Sequence, residues 1–374
     1  PAGAGPRVVR RVATQPATQA WTLCAVFPHI KDAYWLGVNF GMIEEARRLG
    51  VEIRFREAGG YPNLDIQREQ VRACAMDGEV DALIVGAVSH DGLSPLLEEI
   101  SQRMPVLATV NAIADAGVAA RVGVDWYAMG RAAGDYLVAH LPPAREPVSV
   151  AWFPGPRTVS TVVDQGFRDA IAGSRVVVRL TAWGDTGKSI QRNLVQAALD
   201  AHPEVRYLVG NGLMAEAAVS VLRERDLQQR VQIVSTYLTP AVLRGIVRGR
   251  ILAAPTDFPV LQGRLSVGQA VDLLEKRPFA RDFGPAIRMV DRATLKSIDV
   301  DEAMPPSRFV PTLHYLPPPH RNNDGSGLSG PTRCVRQEGC GLTSPRRPSR
   351  SSRGTPAPAC AARRPGRRAG TCSG

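Results

Sequence analysis

The chain of 374 residues, 44% hydrophobic and 22% charged, is long enough for two lobes of ordinary size. Its formal net charge of +11 is concentrated at the end: from residue 318 onward eleven arginines face only Asp324 and Glu338, so the body is close to neutral and offers no basic surface for nucleic acid. No apolar run reaches the length needed to cross a bilayer, which predicts no direct membrane insertion, and no pair of the six cysteines has metal-ligand spacing with a nearby histidine.

Residues 1–20 are expected to be a disordered N-terminal segment, too short and too rich in Pro and Gly to hold a helix-turn-helix. An apolar run at 23–27 reads as a buried strand. It hands over to a helical pattern with apolar Leu36, Phe40, Ile43 and Ala46, with Asp32 standing where an N-cap would stand. Residues 51–55 alternate as a strand, residues 59–63 read as a turn, and a helix follows to Met76. Strands at 82–86 and 105–109 flank a helix at 93–102. Residues 121–125 form a strand running into Trp126 and Tyr127, ahead of a helix at 128–140.

After the proline-rich loop at 141–147 the alternation restarts. Strands are predicted at 148–153, 175–181, 207–210, 231–236 and 251–254, and helices at 162–172, 190–201, 214–225 and 241–248. A helix at 263–275 and a strand at 286–290 remain. Strands alternating with helices of this length imply βαβ units and parallel sheets. The fold class is therefore α/β: two doubly wound lobes facing each other across a cleft. The N-terminal lobe is assigned residues 21–125 plus 258–280, and the C-terminal lobe 126–257 plus 281–291. Residues 292–316 form an extension packed on the lobes. Residues 317–374, rich in Arg, Pro and Ser, cannot bury enough surface to offset chain entropy and are expected to be disordered.

Aromatic residues fall repeatedly at the carboxyl ends of predicted strands: Tyr34, Trp35, Tyr61, Trp126, Tyr127 and Tyr237. In open α/β sheets that is where ligands bind. Ring faces attract a methylated cationic nitrogen, and phenol or indole edges supply donors for an oxyanion. Such a box suits a small methylated amine, a betaine or an amine oxide, and would also stack on a sugar; the competing reading packs individual rings inside the lobes. Asp32, Asp125 and Asp257 also stand at strand ends, where a carboxylate accepts from a ligand or caps a helix. Gly184-Asp185-Thr186-Gly187-Lys188-Ser189 resembles a phosphate-binding loop, but Ala182 stands where that pattern needs its first glycine. There is no nucleophile elbow, no HExxH and no acid/base pair, so no catalytic residue, metal or cofactor is expected. Cys24 and Cys74 are buried thiols or, in an exported protein, a bridge; spacing does not decide.

Several motifs in order resemble the TorT family of type I periplasmic binding proteins. They are Leu23-Cys24-Ala25, Pro28-His29, Lys31-Asp32, Tyr34-Trp35-Leu36, Glu57-Ala58-Gly59-Gly60-Tyr61-Pro62-Asn63, Val122-Gly123-Val124-Asp125-Trp126-Tyr127, Pro154-Gly155-Pro156-Arg157-Thr158, Gln191-Arg192-Asn193-Leu194-Val195 and Gln262-Gly263-Arg264-Leu265-Ser266-Val267. The resemblance covers about residues 21–315. It implies a non-transporting binding protein that holds trimethylamine N-oxide between its lobes and signals to the periplasmic sensor domain of a TorS-like histidine kinase. By motif match its aromatic pocket falls on Tyr34, Trp35, Tyr61, Trp126 and Tyr237, with Tyr127, Asp32 and Asp257 as further matches. A periplasmic location follows from the resemblance alone, since no signal peptide is visible ahead of Trp21. A sugar- or small-solute-binding component of an ABC importer is the alternative on the same fold.

Overall fold

The computed structural model describes residues 7–8, 14–115 and 117–318. In chain order the first lobe opens with β1 (Arg7–Val8), β2 (Thr22–Phe27), α1 (Ala33–Leu49), β3 (Glu52–Glu57), α2 (Leu64–Met76), β4 (Ala82–Val85), α3 (Ser94–Ser101), β5 (Val106–Val110) and β6 (Ala120–Gly123). The chain then crosses into the second lobe. There lie α4 (Trp126–Ala139), β7 (Val148–Phe153), α5 (Arg157–Ile171), β8 (Val176–Thr181), α6 (Lys188–Ala201), β9 (Tyr207–Gly210), α7 (Gly212–Glu224), β10 (Gln232–Ser235), α8 (Pro240–Val247) and β11 (Ala253–Thr256). The remainder comprises α9 (Pro259–Leu274), β12 (Asp282–Gly284), β13 (Arg288–Asp291), α10 (Val300–Ala303) and β14 (His314–Tyr315).

The first sheet runs β1-β12-β6-β5-β4-β2-β3-β14 and the second β13-β11-β10-β9-β7-β8. All pairings are parallel except β14 on β3 and β13 on β11, which close an edge of each sheet antiparallel. Central strands such as β4 and β7 are buried along their whole length, the mark of a sheet covered on both faces. The chain passes between lobes after β6, after β11, after β12 and again between β13 and β14, and the first three crossovers form the hinge.

Helix α1 follows β2 because Asp32 caps it, its Oδ1 accepting from Trp35 N at 3.0 Å. It ends at Gly50, whose φ of 77° continues the chain in the left-handed region. α1 lies directly on α9: a Cβ on Gly41 would sit 2.0 Å from the Val260 carbonyl oxygen, and one on Gly263 2.3 Å from that of Val38. That contact holds the C-terminal helix on the N-terminal lobe although the β11 strand just before it belongs to the other. Cys24 of β2 and Cys74 of α2 form a disulfide with a Cα–Cα distance of 6.0 Å. Across a sequence separation of 50, loop-closure entropy makes such a link worth about 4 kcal/mol.

Several elements differ from the sequence expectation. Trp126 and Tyr127 are the first turn of α4, not the end of a strand, because Asp125 caps them, accepting from Tyr127 N at 2.9 Å. α5 starts at Arg157, well before the expected residue 162. Residues 14–20, expected to be disordered, are anchored: Ala17 N donates to Leu49 O, and Thr18 donates to Glu275 through both its backbone and its hydroxyl. Residues 281–291 divide between lobes, since β12 pairs with β6 in the first sheet and only β13 joins the second. The expectation for 317–374 falls, from residue 319 onward, outside the described residues.

Candidate functional site

A cavity of about 50 Å³ lies between the lobes. Its walls come from the carboxyl ends of parallel strands on both sides, as the geometry of open α/β sheets requires. Tyr34 and Trp35 enter from the first turn of α1, after β2; Tyr61 from the loop after β3; Asn111 from the end of β5. The opposite lobe contributes Trp126 from the first turn of α4, Asn211 capping α7, and Tyr237 from the loop after β10. The Tyr34 ring stands 5.5 Å from Tyr237, edge-on, and 6.1 Å from both Trp35 and Trp126, so it is the centre of the cluster.

The polar edges of these rings are mostly committed. Trp126 Nε1 donates to Val110 O at 2.9 Å. Val110 has φ 63°, a left-handed conformation costly for a β-branched residue, and its carbonyl fixes the indole in place. Tyr34 Oη donates to Asp257 Oδ2 at 2.5 Å, and Gln262 Nε2 donates to the same oxygen at 3.0 Å. Tyr61 Oη accepts from Asn111 Nδ2 at 3.2 Å and, longer, from Trp35 Nε1 at 3.4 Å. With both acceptor positions filled, the Tyr61 hydroxyl keeps its own hydrogen to donate. Asn111 and Asn211 spend their amide hydrogens on protein acceptors, including Ala87 O and Gln191 Oε1.

Burial dominates the electrostatics. It raises the Asp32 and Asp257 carboxyls to about 6, against the pull of their hydrogen-bond donors. It raises Tyr34 well above an ordinary phenol, reinforced by the charge of Asp257, and raises Tyr61 and Tyr237 as well. His29 is lowered to about 4, first by burial and then by Lys31, so its ring is neutral at pH 7. The two lobes meet through this corner: His29 Nε2 and Thr186 Oγ1 are 3.0 Å apart, and Lys31 Nζ reaches Asp185 Oδ2 at 2.7 Å. Both contacts join the loop after β2 to the loop after β8, so the lobes are closed on each other.

Of the residues singled out from the sequence, Tyr34, Trp35, Tyr61, Trp126, Tyr237 and Asp32 line the one cavity. Tyr127 does not: successive residues on a helix point in different directions, and its hydroxyl donates to Asp169 Oδ2 at 2.9 Å on the outside. Asp257 stands behind the cavity, where it anchors Tyr34. Asn111, Asn211 and the Asp185–Thr186 pair were not singled out as site residues. A search of strand ends for amides as well as rings and acids would have found Asn111 and Asn211. The loop that resembled a phosphate site instead supplies the interlobe contact. Among the described residues no group of three or more His, Cys, Asp or Glu is placed to hold a metal, and no helix is long and apolar enough to cross a membrane.

Residues 24–278 match the periplasmic binding protein domain. Over 303 residues the chain is 38% identical to periplasmic protein TorT of Escherichia coli strain K12, covering 80% of this chain and 86% of that one. A crystal structure of the TorS sensor domain–TorT complex in the presence of TMAO superposes with a TM-score of 0.71 at 39% identity, over 78% of this chain and 99% of that chain. An ABC transporter solute-binding protein from Bradyrhizobium sp. BTAi1, with bound bis-tris, superposes with a TM-score of 0.70 at 42% identity, over 82% of this chain and 92% of its own. The match of residues 24–278 to the domain and the 38% identity over 80% of the chain show that the chain belongs to the periplasmic binding protein family.

Proposed function

We propose that this is a periplasmic solute-binding protein that encloses trimethylamine N-oxide (TMAO) between its lobes and presents the closed state to the sensor domain of a membrane histidine kinase controlling the reductase operon. The observation that carries the reading is a cavity of about 50 Å³ walled by rings from both lobes, with the phenol hydrogen of Tyr61 left to donate. That volume holds a handful of water-sized groups, which suits a solute of five heavy atoms and not a pyranose. The methyl groups of TMAO, attached to a positive nitrogen, lie against the faces of Trp35, Trp126 and Tyr237; cation–π attraction is worth about 0.5–2 kcal/mol per desolvated ring. The oxide accepts from Tyr61 Oη, which Trp35 and Asn111 orient. Tyr34, tied to Asp257, packs edge-on against Tyr237 and sets the spacing of the cage.

Closure buries the ligand and brings Lys31 to Asp185. Ligand bound only in the closed form raises the closed population by its differential affinity, and that population is what the kinase reads. The relatives support this reading: TorT forms a complex with the TorS sensor domain, and bis-tris, bound by the Bradyrhizobium protein, is a tertiary amine. The periplasmic binding protein family is one of non-enzymatic binders. Thermal unfolding with TMAO, choline, glycine betaine and ribose tests the proposal. TMAO at 100 times its dissociation constant should add about 2.7 kcal/mol of stability. Stabilisation by ribose alone would overturn the reading in favour of a sugar importer component.

A further inference from the structure

The flank of the C-terminal lobe between α7 and α8 carries a groove of about 330 Å³, lined by Glu216, Arg223, Gln228, Arg244, Arg248 and Arg250 among others. It shares no residue with the interlobe cavity. All four arginines are exposed, and three nearby acids are engaged elsewhere. Glu216 holds Lys188 at 2.7 Å, Glu224 holds Arg192, and Asp200 holds Arg225. Some other guanidinium groups of the body are neutralised, Arg54 by three carboxylates and Arg264 by Glu44. The groove gathers four exposed guanidinium groups on a nearly neutral body. Gln228, half-buried, lines the slot beside them and leaves its mouth, among the described residues, free of any acid other than Glu216.

We propose that this groove docks an acidic, extended segment of a protein partner. Its carboxylates pair with Arg223, Arg244, Arg248 and Arg250. Guanidinium–carboxylate pairing is geometrically specific and steers association at long range. A concave slot between two helices suits a peptide chain better than a flat bilayer surface.

Fluorescence anisotropy of a labelled peptide of alternating Glu and Gly, titrated with the full chain, tests the proposal. Wild type should bind, with affinity falling steeply as NaCl rises. Arg244→Glu/Arg248→Glu should weaken binding by about tenfold or more, and Arg244→Gln/Arg248→Gln by less. The melting temperature without ligand controls for folding in each variant, and the TMAO shift, measured in parallel, should be unchanged because the cavity is untouched. Loss of the TMAO shift in wild type would sink the ligand reading and leave the groove standing. Equal peptide binding by wild type and charge-reversed variant would place the binding elsewhere, for example on the terminal arginines, and overturn the proposal. So would co-sedimentation with phosphatidylglycerol vesicles in the absence of any peptide binding, which would make the groove a membrane contact.

Discussion

Replacing Tyr61 by Phe removes one oxygen from a wall that is otherwise kept. In the structure that oxygen accepts from Asn111 Nδ2 at 3.2 Å and Trp35 Nε1 at 3.4 Å, and its hydrogen is left for the ligand. A hydrogen bond to a charged oxide contributes about 1.5–3 kcal/mol. At about 1.4 kcal/mol per decade, TMAO should bind Tyr61→Phe roughly 10- to 150-fold more weakly. The unliganded protein pays a smaller penalty. Asn111 keeps Ala87 O at 2.8 Å. The Trp35 N–H is buried without an acceptor, but the bond it loses is long. Isothermal titration of the full chain with TMAO and with tetramethylammonium separates the two halves of the site. Tetramethylammonium has the methyl groups and the positive nitrogen but no oxygen, so its affinity should be unaffected. An unchanged TMAO affinity, or equal losses for both ligands, would refute Tyr61 as the oxide donor.

Three further outcomes follow from the same geometry. A Cβ on Gly86 would lie 2.4 Å from Trp35 Cη2, so Gly86→Ala should displace the indole at an overpacking cost of about 1–3 kcal/mol; a lower melting temperature, a shifted tryptophan emission and loss of the TMAO response would show it. Lys31→Gln breaks the ion pair to Asp185, and because the lysine is more than a third exposed, the effect should be only about 0.5–1 kcal/mol. Calorimetry should therefore find TMAO affinity reduced severalfold at low salt and the difference gone in high salt. The third outcome is a pH profile. Between about pH 4 and 6 the native protein keeps protons on Asp32 and Asp257 that the unfolded chain has released, so their contribution to stability is lost as pH rises through that window. His29 acts in the opposite sense: from about pH 4 to 6.5 the unfolded chain binds a proton that the buried ring refuses, so stability rises with pH. His29→Gln removes the rising arm, and its melting temperature should fall more steeply from pH 4 to 6.5 than that of wild type; parallel profiles would show that His29 is not held neutral.

Much of the site was legible because each ring belongs to a local unit. A buried strand, a cap and an amphipathic helix place Tyr34 and Trp35 at a strand end, and the same grammar places Trp126 after Asp125. Where the grammar stopped being local, it lost resolution. Tyr127 is adjacent to Trp126 in sequence, yet helix geometry turns it outward to Asp169. Asp257 stands at a strand end like Asp32, but its partner is the Tyr34 hydroxyl, 223 residues away. The disulfide was left open by spacing and is decided by β2 and α2 lying side by side.

The order of strands and helices, the parallel sheets and the placing of aromatics at strand ends were set by the sequence alone, since these depend on periodicity and capping within a dozen or so neighbouring residues. Only the tertiary structure decided that β12 returns to the first sheet while β13 stays with the second, that rings from two lobes share one small cavity, and that the Tyr61 hydroxyl, between Trp35 and Asn111, has both acceptor positions filled and its hydrogen free. Those outcomes depend on how segments far apart in the chain are brought together: the contacts of Tyr61 with Trp35 and Asn111 form within the first lobe, whereas the shared cavity exists only once both lobes have closed.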